Sequence, residues 1–192
     1  MNYLAHFYLS GSNEDLLVGN FIADSIHGNK LESFRDGVRE GIRMHREIDF
    51  FTDHHAVTSR SKDLLRPTYN HFSGVIVDIF YDHFLAKNWS KYSNEPLSSY
   101  SQRIYGIMEK YFEEFPEDAK RMFPYMKKNN WLVIYSEVEG IRKVLTGMSR
   151  RIKAESKLET ATDALILYYD LFEQDFLEFF PEIILYTEKF RK

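Results

Sequence analysis

The 192-residue chain contains no cysteine and only nine glycines and five prolines. Without cysteine it has no disulfide, no thiolate nucleophile and no cysteine-bound zinc or iron–sulfur cluster. Any metal ion must therefore bind to histidine, carboxylate or carbonyl groups. The few glycines and prolines argue against an all-β protein, which needs a turn about every 8–12 residues. With 44% hydrophobic and 28% charged residues, the composition is that of a folded globular chain.

Long hydrophobic runs are also missing, and we expect the first residues not to form a signal peptide. Residues 1–7 have no basic stretch and no small-residue cleavage site. No segment approaches the ~18 consecutive apolar residues that cross a bilayer. We therefore expect a cytoplasmic protein without a membrane contact. The formal net charge of −4 and the lack of a recognised nucleic-acid-binding motif argue against nucleic acid as a partner.

Hydrophobic residues recur at helical spacing almost throughout, which predicts one all-α domain over 1–192, folded as a helical bundle. Segment 72–85 is rich in β-branched residues but too long for an ordinary strand, so it is predicted to be a buried helix. Pro67 is expected to end one helix and Pro181 to kink another. One helix is expected to begin near residue 16 and to stop at Gly28-Asn29. The remaining helices are expected near 32–53, 61–66, 97–115, 118–128, 131–146 and 159–192.

The most informative polar residues come in pairs within apolar segments of the first half of the chain. Residues four apart lie on the same face of a helix, with Cβ atoms about 5–6 Å apart, so each pair can contact one small ligand. The four pairs are Asn2/His6, Asn20/Asp24, His45/Asp49 and Asp78/Asp82.

Asp78 and Asp82 lie in the most apolar of these segments. Two carboxylates on one buried face repel each other and are costly to desolvate, so they need a cation, a shared proton or an arginine. A divalent metal ion satisfies both at once. With His45, Asp24 or His6 in reach, the mixed oxygen and nitrogen ligands suit Mn²⁺, Mg²⁺ or Fe²⁺ better than structural zinc.

Each candidate also has a structural alternative. His6 could be a hydrogen-bonded core histidine, and His45 a surface residue beside a salt-bridged turn. Asn20 could bond only to a neighbouring backbone group, and Asp49 could serve only as an acceptor for His45. The two aspartates at 78 and 82 could pair with one of three arginines: Arg43, Arg46 or Arg103.

Five short motifs containing these pairs lie in order between residue 1 and about residue 153. They are Asn2-x-Leu4-Ala5-His6, Gly19-Asn20-Phe21-x-Ala23-Asp24, Gly41-Ile42-x-Met44-His45-Arg46-x-Ile48-Asp49-x-x-Thr52-Asp53, Asp78-x-x-Tyr81-Asp82-His83-Phe84-Leu85-x-x-x-Trp89 and Met148-Ser149-Arg150-Arg151. In this order and spacing they resemble the acyl carrier protein phosphodiesterase family.

The resemblance implies an Mn²⁺-dependent enzyme that hydrolyses the phosphodiester between 4′-phosphopantetheine and a serine of holo-acyl carrier protein. It also implies an all-helical fold related to the HD-type phosphohydrolases. HD enzymes carry an adjacent His-Asp pair, whereas here the order is reversed, so their ligand scheme cannot be transferred. The residues that match the family's acidic and histidine positions are Asp24, His45, Asp78, Asp82 and His83. His6 and Asn20 lie beside them in the matching motifs.

The predicted roles follow from the needs of phosphodiester hydrolysis. A divalent ion polarises the phosphoryl oxygen and lowers the pKa of bound water. Asp24 is predicted to be a further metal ligand or the base for the attacking water, and His83 to protonate the leaving oxygen or to stabilise the phosphoryl charge. Arg46 is predicted to clamp the phosphate, and Asn20 and Asp49 to orient the ligands. The predicted metal ligands are His45, Asp78, Asp82 and His6.

The implied partner predicts a basic surface. Acyl carrier proteins are strongly acidic, so an acidic enzyme needs a local basic face to attract them. One stripe of arginines recurs at three- and four-residue spacing over 35–46, and a second basic cluster spans 142–153. The alternative is an ordinary solvated surface. The residues expected to bind the carrier protein are Arg35, Arg39, Arg43, Arg150 and Arg151, and Lys153 belongs to the second cluster.

Two other functions remain compatible with the same residues. The first is a metal-dependent hydrolase of a nucleotide or another small phosphoester, which needs a buried small-molecule pocket. The second is a non-catalytic helical binding protein whose polar pairs are structural and bind no divalent ion at micromolar concentration. The sequence does not determine the oligomeric state.

Overall fold

The structure is a computed structural model that describes residues 1–26, 28–152 and 156–191. These residues form α-helices and short 3₁₀ segments and contain no β-strand, so the all-α prediction is confirmed. None of the helices described is both long enough and apolar enough to span a membrane. In chain order the α-helices are α1 (Tyr3–Ser10), α2 (Glu14–Ile22), α3 (Asp36–His54), α4 (Ala56–Tyr69), α5 (Ser73–Lys87), α6 (Leu97–Lys110), α7 (Glu117–Lys128), α8 (Trp131–Ile134), α9 (Val138–Ser149), α10 (Ala161–Leu167) and α11 (Tyr169–Thr187).

Helix α5 is the buried helix predicted for the apolar segment. Ile76, Ile79, Phe80 and Phe84 have no exposed surface, and α5 packs against α1, α4, α9 and α11. A helix that is covered on several sides needs apolar residues all round, which explains the lack of a polar face. Burial also outweighs the lower helix propensity of its β-branched residues.

Proline does not end helix α4 where the sequence predicted. Pro67 lies inside α4, which continues to Tyr69, so the predicted end at residue 66 is wrong. The burial of Leu65 and Tyr69 helps to hold this last turn in place despite the missing backbone hydrogen bond. Helix α11 continues through Pro181, where the kink stays a prediction, and the predicted long C-terminal helix is divided at Tyr168.

Helices α2 and α3 pack against each other through two glycines. A Cβ atom on Gly41 would lie 2.9 Å from the Cα atom of Gly19, and a Cβ on Gly19 would lie 2.8 Å from the Cα of Gly41. Only residues without a side chain allow the two backbones to approach this closely. Because Asn20 follows Gly19 and His45 lies about one turn after Gly41, this contact brings the two polar side chains together.

Candidate active site

Two histidines from different helices stack against each other at the centre of the site. The ring centroids of His6 on α1 and His45 on α3 are 4.1 Å apart, with an angle of 18° between the ring planes. Both side chains are buried. The predicted convergence of His6 and His45 is therefore seen in the structure, and it depends on the docking of α1 beside α3.

The side-chain amide of Asn20 orients both rings. Its Oδ1 accepts hydrogen bonds from Nδ1 of His6 at 2.7 Å and from Nδ1 of His45 at 3.0 Å. Its Nδ2 donates to the backbone oxygen of His6 and to Oγ of Ser10, which fixes which end of the amide faces the histidines. Because a carbonyl oxygen only accepts, both Nδ1 atoms carry a proton. A neutral ring then presents an unprotonated Nε2 on its other side.

Both Nε2 atoms face carboxylates. Nε2 of His45 lies 3.1 Å from Oδ1 of Asp24 and 3.1 Å from Oδ2 of Asp49, while Nε2 of His6 lies 3.2 Å from Oδ1 of Asp49. Nε2 of His6 is also 3.1 Å from the backbone oxygen of Met1. A neutral His6 would thus turn a lone pair toward two oxygen atoms, an arrangement that a cation between them would stabilise.

The charges of the site are set by these contacts. Burial opposes ionisation of Asp49, but the hydrogen bond from protonated His45 and the positive charge of the α-amino group of Met1 hold the pKa of Asp49 well below its usual value. The hydrogen bond from His45 also lowers the pKa of Asp24. Burial opposes protonation of His45, yet its two carboxylate partners raise its pKa to about 9. Burial and the neighbouring His45 lower the pKa of His6.

These groups could hold a metal ion. One ligand atom each from His6, His45 and Asp49 lie within 4.8 Å of one another. Two imidazole nitrogens and a carboxylate oxygen form a donor set that suits several divalent transition metals. The residues therefore fit a divalent ion: Asn20 hydrogen-bonds both imidazoles, and Asp49 offers one of the three ligand atoms.

The Asp78/Asp82 pair has other partners. Asp82 is fully buried, and its carboxylate accepts hydrogen bonds from the backbone N–H groups of Leu4 at 2.7 Å, Ala5 at 3.2 Å and Asn2 at 3.3 Å. These are the open N–H groups at the start of α1. Burial raises the pKa of Asp82 to about 7, although these hydrogen bonds oppose the shift. Asp82 thus lies outside the group of metal-ligand atoms, whereas Asp78 lines the cleft beside it and lies 2.8 Å from the α-amino group of Met1.

Two further predicted residues do not line this cleft. The Nδ1 atom of His83 lies 2.7 Å from the backbone oxygen of Tyr135, and its Nε2 lies 2.9 Å from the hydroxyl of Tyr169. Both nitrogens of this buried ring are therefore engaged elsewhere. Arg46 is exposed on α3 and is likewise not among the residues of the cleft wall.

The histidines and carboxylates open onto a cleft of about 930 Å³. One part of its wall is an apolar strip of partly exposed side chains: Tyr3, Met122, Trp131, Val144 and Met148. Another part is a cationic rim made by three exposed residues: Lys143, Arg150 and Arg151. Over residues 1–26, 28–152 and 156–191, no carboxylate lies within ion-pair distance of this rim, whereas the neighbouring Arg142 pairs with Glu139 and Asp163.

The arginines predicted on α3 differ from the cationic rim. Arg35 pairs with Asp15 and Glu114, and Arg39 and Arg43 also contact carboxylates, on Asp36 and Glu40 respectively. Their charges are therefore largely compensated. Lys153, which belongs to the second predicted basic cluster, lies outside the described residues.

Little in the sequence pattern points to the apolar strip. Its members come from four helices, α1, α7, α8 and α9, so no local pattern connects them. Trp131 carried the one available signal, because it is one of only two tryptophans and remains partly exposed. Lys143 lies within the second basic cluster predicted over 142–153.

Comparison with known proteins identifies relatives over the whole chain. Residues 1–183 match the family described as acyl carrier protein phosphodiesterase. A protein of that name from Enterobacter sp. (strain 638) is 30% identical over 186 residues, covering 96% of each chain. The one from Photorhabdus laumondii is 31% identical over 182 residues, covering 94% of this chain and 92% of its own. The one from Escherichia coli O139:H28 is 32% identical over 188 residues, with 96% of each chain covered.

No solved structure gives a significant match, so the relation to HD-type phosphohydrolases stays a prediction. The family match extends from α1 into α11 and includes every residue of the metal-ligand group and of the cationic rim. The chain belongs to the acyl carrier protein phosphodiesterase family.

Proposed function

We propose that this chain hydrolyses the phosphodiester of holo-acyl carrier protein and releases apo-acyl carrier protein and 4′-phosphopantetheine. In this reaction the oxygen of water bonds to phosphorus, the bond from phosphorus to the serine oxygen breaks, and the serine oxygen takes a proton. The observation that carries the proposal is the convergence of the two histidine Nε2 atoms and Asp49 in a cleft whose rim carries three cations that have no carboxylate partner among the described residues. A phosphodiester anion needs both features.

The proposed metal ligands are His6, His45 and Asp49, with Mn²⁺ as the proposed ion. When bound, a divalent ion polarises a phosphoryl oxygen and favours attack by water. Asn20 holds the two histidines in the tautomer that leaves Nε2 free to bind. Asp78 lies at the edge of this group and adds negative charge that attracts a cation.

Asp24 is the proposed base. Its carboxylate is exposed to the cleft, bonds to Nε2 of His45 and has a lowered pKa, so it is ionised at neutral pH and can accept a proton from water. Arg151 and Lys143 are proposed to hold the charged phosphoryl oxygens. His83 and Arg46 lie outside the cleft and are assigned no part in the reaction.

Arg150 and the outer part of the cationic rim are the proposed docking point for the acidic carrier protein. Its side chain is exposed and lacks an acidic partner among the described residues, so its field reaches solvent. The paired arginines Arg35, Arg39 and Arg43 are proposed to contribute less. The cytoplasmic location remains a prediction.

The decisive experiment incubates the purified chain with holo-acyl carrier protein and Mn²⁺ and follows loss of the prosthetic group by mass spectrometry. We expect Asp49→Asn and His45→Gln to abolish hydrolysis while circular dichroism shows unchanged helix content. Asp63→Asn, which changes an exposed carboxylate on α4, is the matched control and should retain full activity. Full activity of the Asp49 variant, or of the enzyme after chelation, would contradict the proposed centre.

A second candidate function is hydrolysis of a nucleotide or another small phosphoester, because the volume of the cleft suits a small molecule. The same assay separates the two functions if bis-p-nitrophenyl phosphate and a cyclic nucleotide are included. A higher kcat/KM for either small phosphodiester than for the holo-carrier protein would favour this second function.

A further inference from the structure

The apolar strip is an accessible surface inside the cleft rather than part of the core. Tyr3, Met122, Trp131, Val144 and Met148 are all partly exposed, although the core nearby is fully buried. Contiguous apolar surface in a concave site is characteristic of a ligand-binding wall. We therefore expect the apolar strip to bind an apolar part of a ligand.

Contacts within the strip hold it in a defined shape. The hydroxyl of Tyr3 bonds to Sδ of Met122 at 2.9 Å, and the rings of Tyr3 and Trp131 are 6.2 Å apart. Val144 and Met148 are four residues apart on α9 and so lie on one face of that helix. A preformed wall of this kind loses little conformational freedom when a ligand binds.

The strip is continuous with the catalytic groups. Tyr3 lies at the junction, because it lines the same cleft as Asp24 and Arg151. Three residues N-terminal to His6, Tyr3 also begins the helix that carries this histidine. A molecule whose phosphate lies between the metal-ligand group and the cationic rim would therefore extend directly onto the strip.

We propose that the apolar strip binds the pantetheine arm of the substrate, and thereby fixes which of the two phosphate substituents points into the cleft. This inference rests on the proposed function. The phosphorus carries a folded carrier protein on one side and a narrow chain of methyl, methylene and amide groups on the other. A folded protein cannot enter a cleft of about 930 Å³, whereas the arm can, so the carrier protein remains at the cationic rim.

Trp131 provides a direct test by fluorescence. The other tryptophan, Trp89, is buried, and its indole N–H donates to the backbone oxygen of Glu95, so Trp89→Phe leaves Trp131 as the only indole reporter. We expect 4′-phosphopantetheine to change the emission of this variant in a saturable way. Inorganic phosphate, which lacks the arm, should leave the emission unchanged at concentrations that inhibit hydrolysis.

Kinetics supply the second test. We expect Trp131→Ala and Met148→Ala each to raise KM for holo-acyl carrier protein about tenfold, while kcat changes less than twofold. Tyr125→Ala is the matched control, because Tyr125 is a 66% exposed aromatic residue on α7 outside the cleft wall, and its KM should not change. Thermal unfolding of all three variants checks that the fold is retained, and Met148→Ala removes no aromatic packing.

The outcomes separate the two proposals. If the holo-carrier protein is hydrolysed but Trp131 does not respond and both KM values stay at the wild-type level, the arm binds elsewhere and only the inference fails. If a nucleotide changes the emission and 4′-phosphopantetheine does not, the strip binds a base and the inference is overturned. If no holo-carrier protein is hydrolysed with any divalent ion, the proposed function fails and the inference fails with it.

Discussion

At the scale of single residues, Asn20 connects the two proposed histidine ligands. One amide oxygen accepts from two histidines, and the amide nitrogen is held by Ser10 and the backbone of His6. The side chain thus sets the tautomer of two proposed ligands at once. Groups that orient metal ligands typically change metal affinity 10–100-fold when they are removed.

We predict that Asn20→Leu weakens Mn²⁺ binding roughly 10–100-fold, because neither Nδ1–H group would retain its acceptor. Asn20→Asp keeps an acceptor oxygen and should keep the Nδ1–H tautomer of both rings. Isothermal titration with Mn²⁺ measures the affinity, and ¹⁵N chemical shifts of the histidine rings in the metal-free protein report the tautomer. Equal affinity and unchanged tautomers in Asn20→Leu would contradict the positioning role.

The raised pKa of His45 leads us to predict that the stability of the metal-free protein depends on pH. Its pKa of about 9 in the fold is above the ordinary value of 6.5, so protonation favours the folded state. This stabilisation is complete below pH 6.5 and is lost as the pH rises to 9, with an upper limit of about 3 kcal/mol. Urea unfolding with a chelator present, from pH 6 to 9.5, should show a decrease that is absent in His45→Gln. If the free energy of unfolding falls equally with pH in the wild-type protein and in His45→Gln, His45 is not the group responsible.

For Asp78 and Asp82 the sequence predicted the need for a partner but not which partner Asp82 has. The sequence correctly marked Asp78 and Asp82 as acids in an apolar helix that need compensation. The sequence analysis predicted a metal ion, a shared proton or an arginine as the partner of these carboxylates, but Asp82 is compensated by backbone N–H groups. Those groups belong to a helix 78 residues away along the chain, and a helix N-terminus offers the same donors whatever its side chains are.

At the scale of helices, the Gly19–Gly41 contact determines the spacing of α2 and α3. A methyl group at position 41 would meet the backbone of Leu16 and Gly19. Backbone cannot move aside as a flexible side chain can, so the two helices would have to separate. Separation would move Asn20 away from His45.

We predict that Gly41→Ala lowers the free energy of unfolding by about 1–3 kcal/mol and also lowers Mn²⁺ affinity. The matched control is Gly106→Ala on α6, where an added Cβ meets no atom within 4 Å. That change should stabilise the protein by about 0.5–1 kcal/mol, because alanine favours helix more than glycine does. Chemical denaturation and metal titration of both variants provide the measurement, and a stabilised Gly41 variant with normal affinity would rule out the spacing role.

Helix existence was predictable, but some boundaries were not. The repeat of apolar residues predicted α3, α5 and α7 within a few residues of their limits. It missed the division at Tyr168 and the extension of α4 past Pro67, because both depend on what the neighbouring helices cover. Local propensity is a weaker influence than burial in such places.

At the scale of the whole molecule, charge is unevenly distributed on a chain with a net charge of −4. The arginines of α3 are matched by nearby carboxylates, while the described surroundings of Arg150 contain no acid within ion-pair distance. Sequence spacing made the two clusters look equivalent. Only the three-dimensional arrangement distinguishes the compensated arginines of α3 from a rim that has no acidic partner among the described residues.

We predict that Arg150→Glu raises KM for the acidic carrier protein about tenfold at low ionic strength, and that Arg43→Glu raises it less. The difference should shrink above 0.15 M salt, where the Debye length falls to about 8 Å. Steady-state kinetics at several salt concentrations measure both variants, with double reversal of Arg39 and Arg43 as a further comparison. A larger effect at Arg43 than at Arg150 would move the docking surface to α3.

The bond between Asp82 and the first helix has a consequence for synthesis of the chain. His6 has a fixed place only when α1 is docked, and α1 is held by a carboxylate that the ribosome adds 78 residues after Leu4. Contacts that close such long loops tend to form late. A growing polypeptide that already contains His45 and Asp49 therefore still lacks His6 in position, so the three proposed ligands would come together only after the fifth helix has emerged and folded.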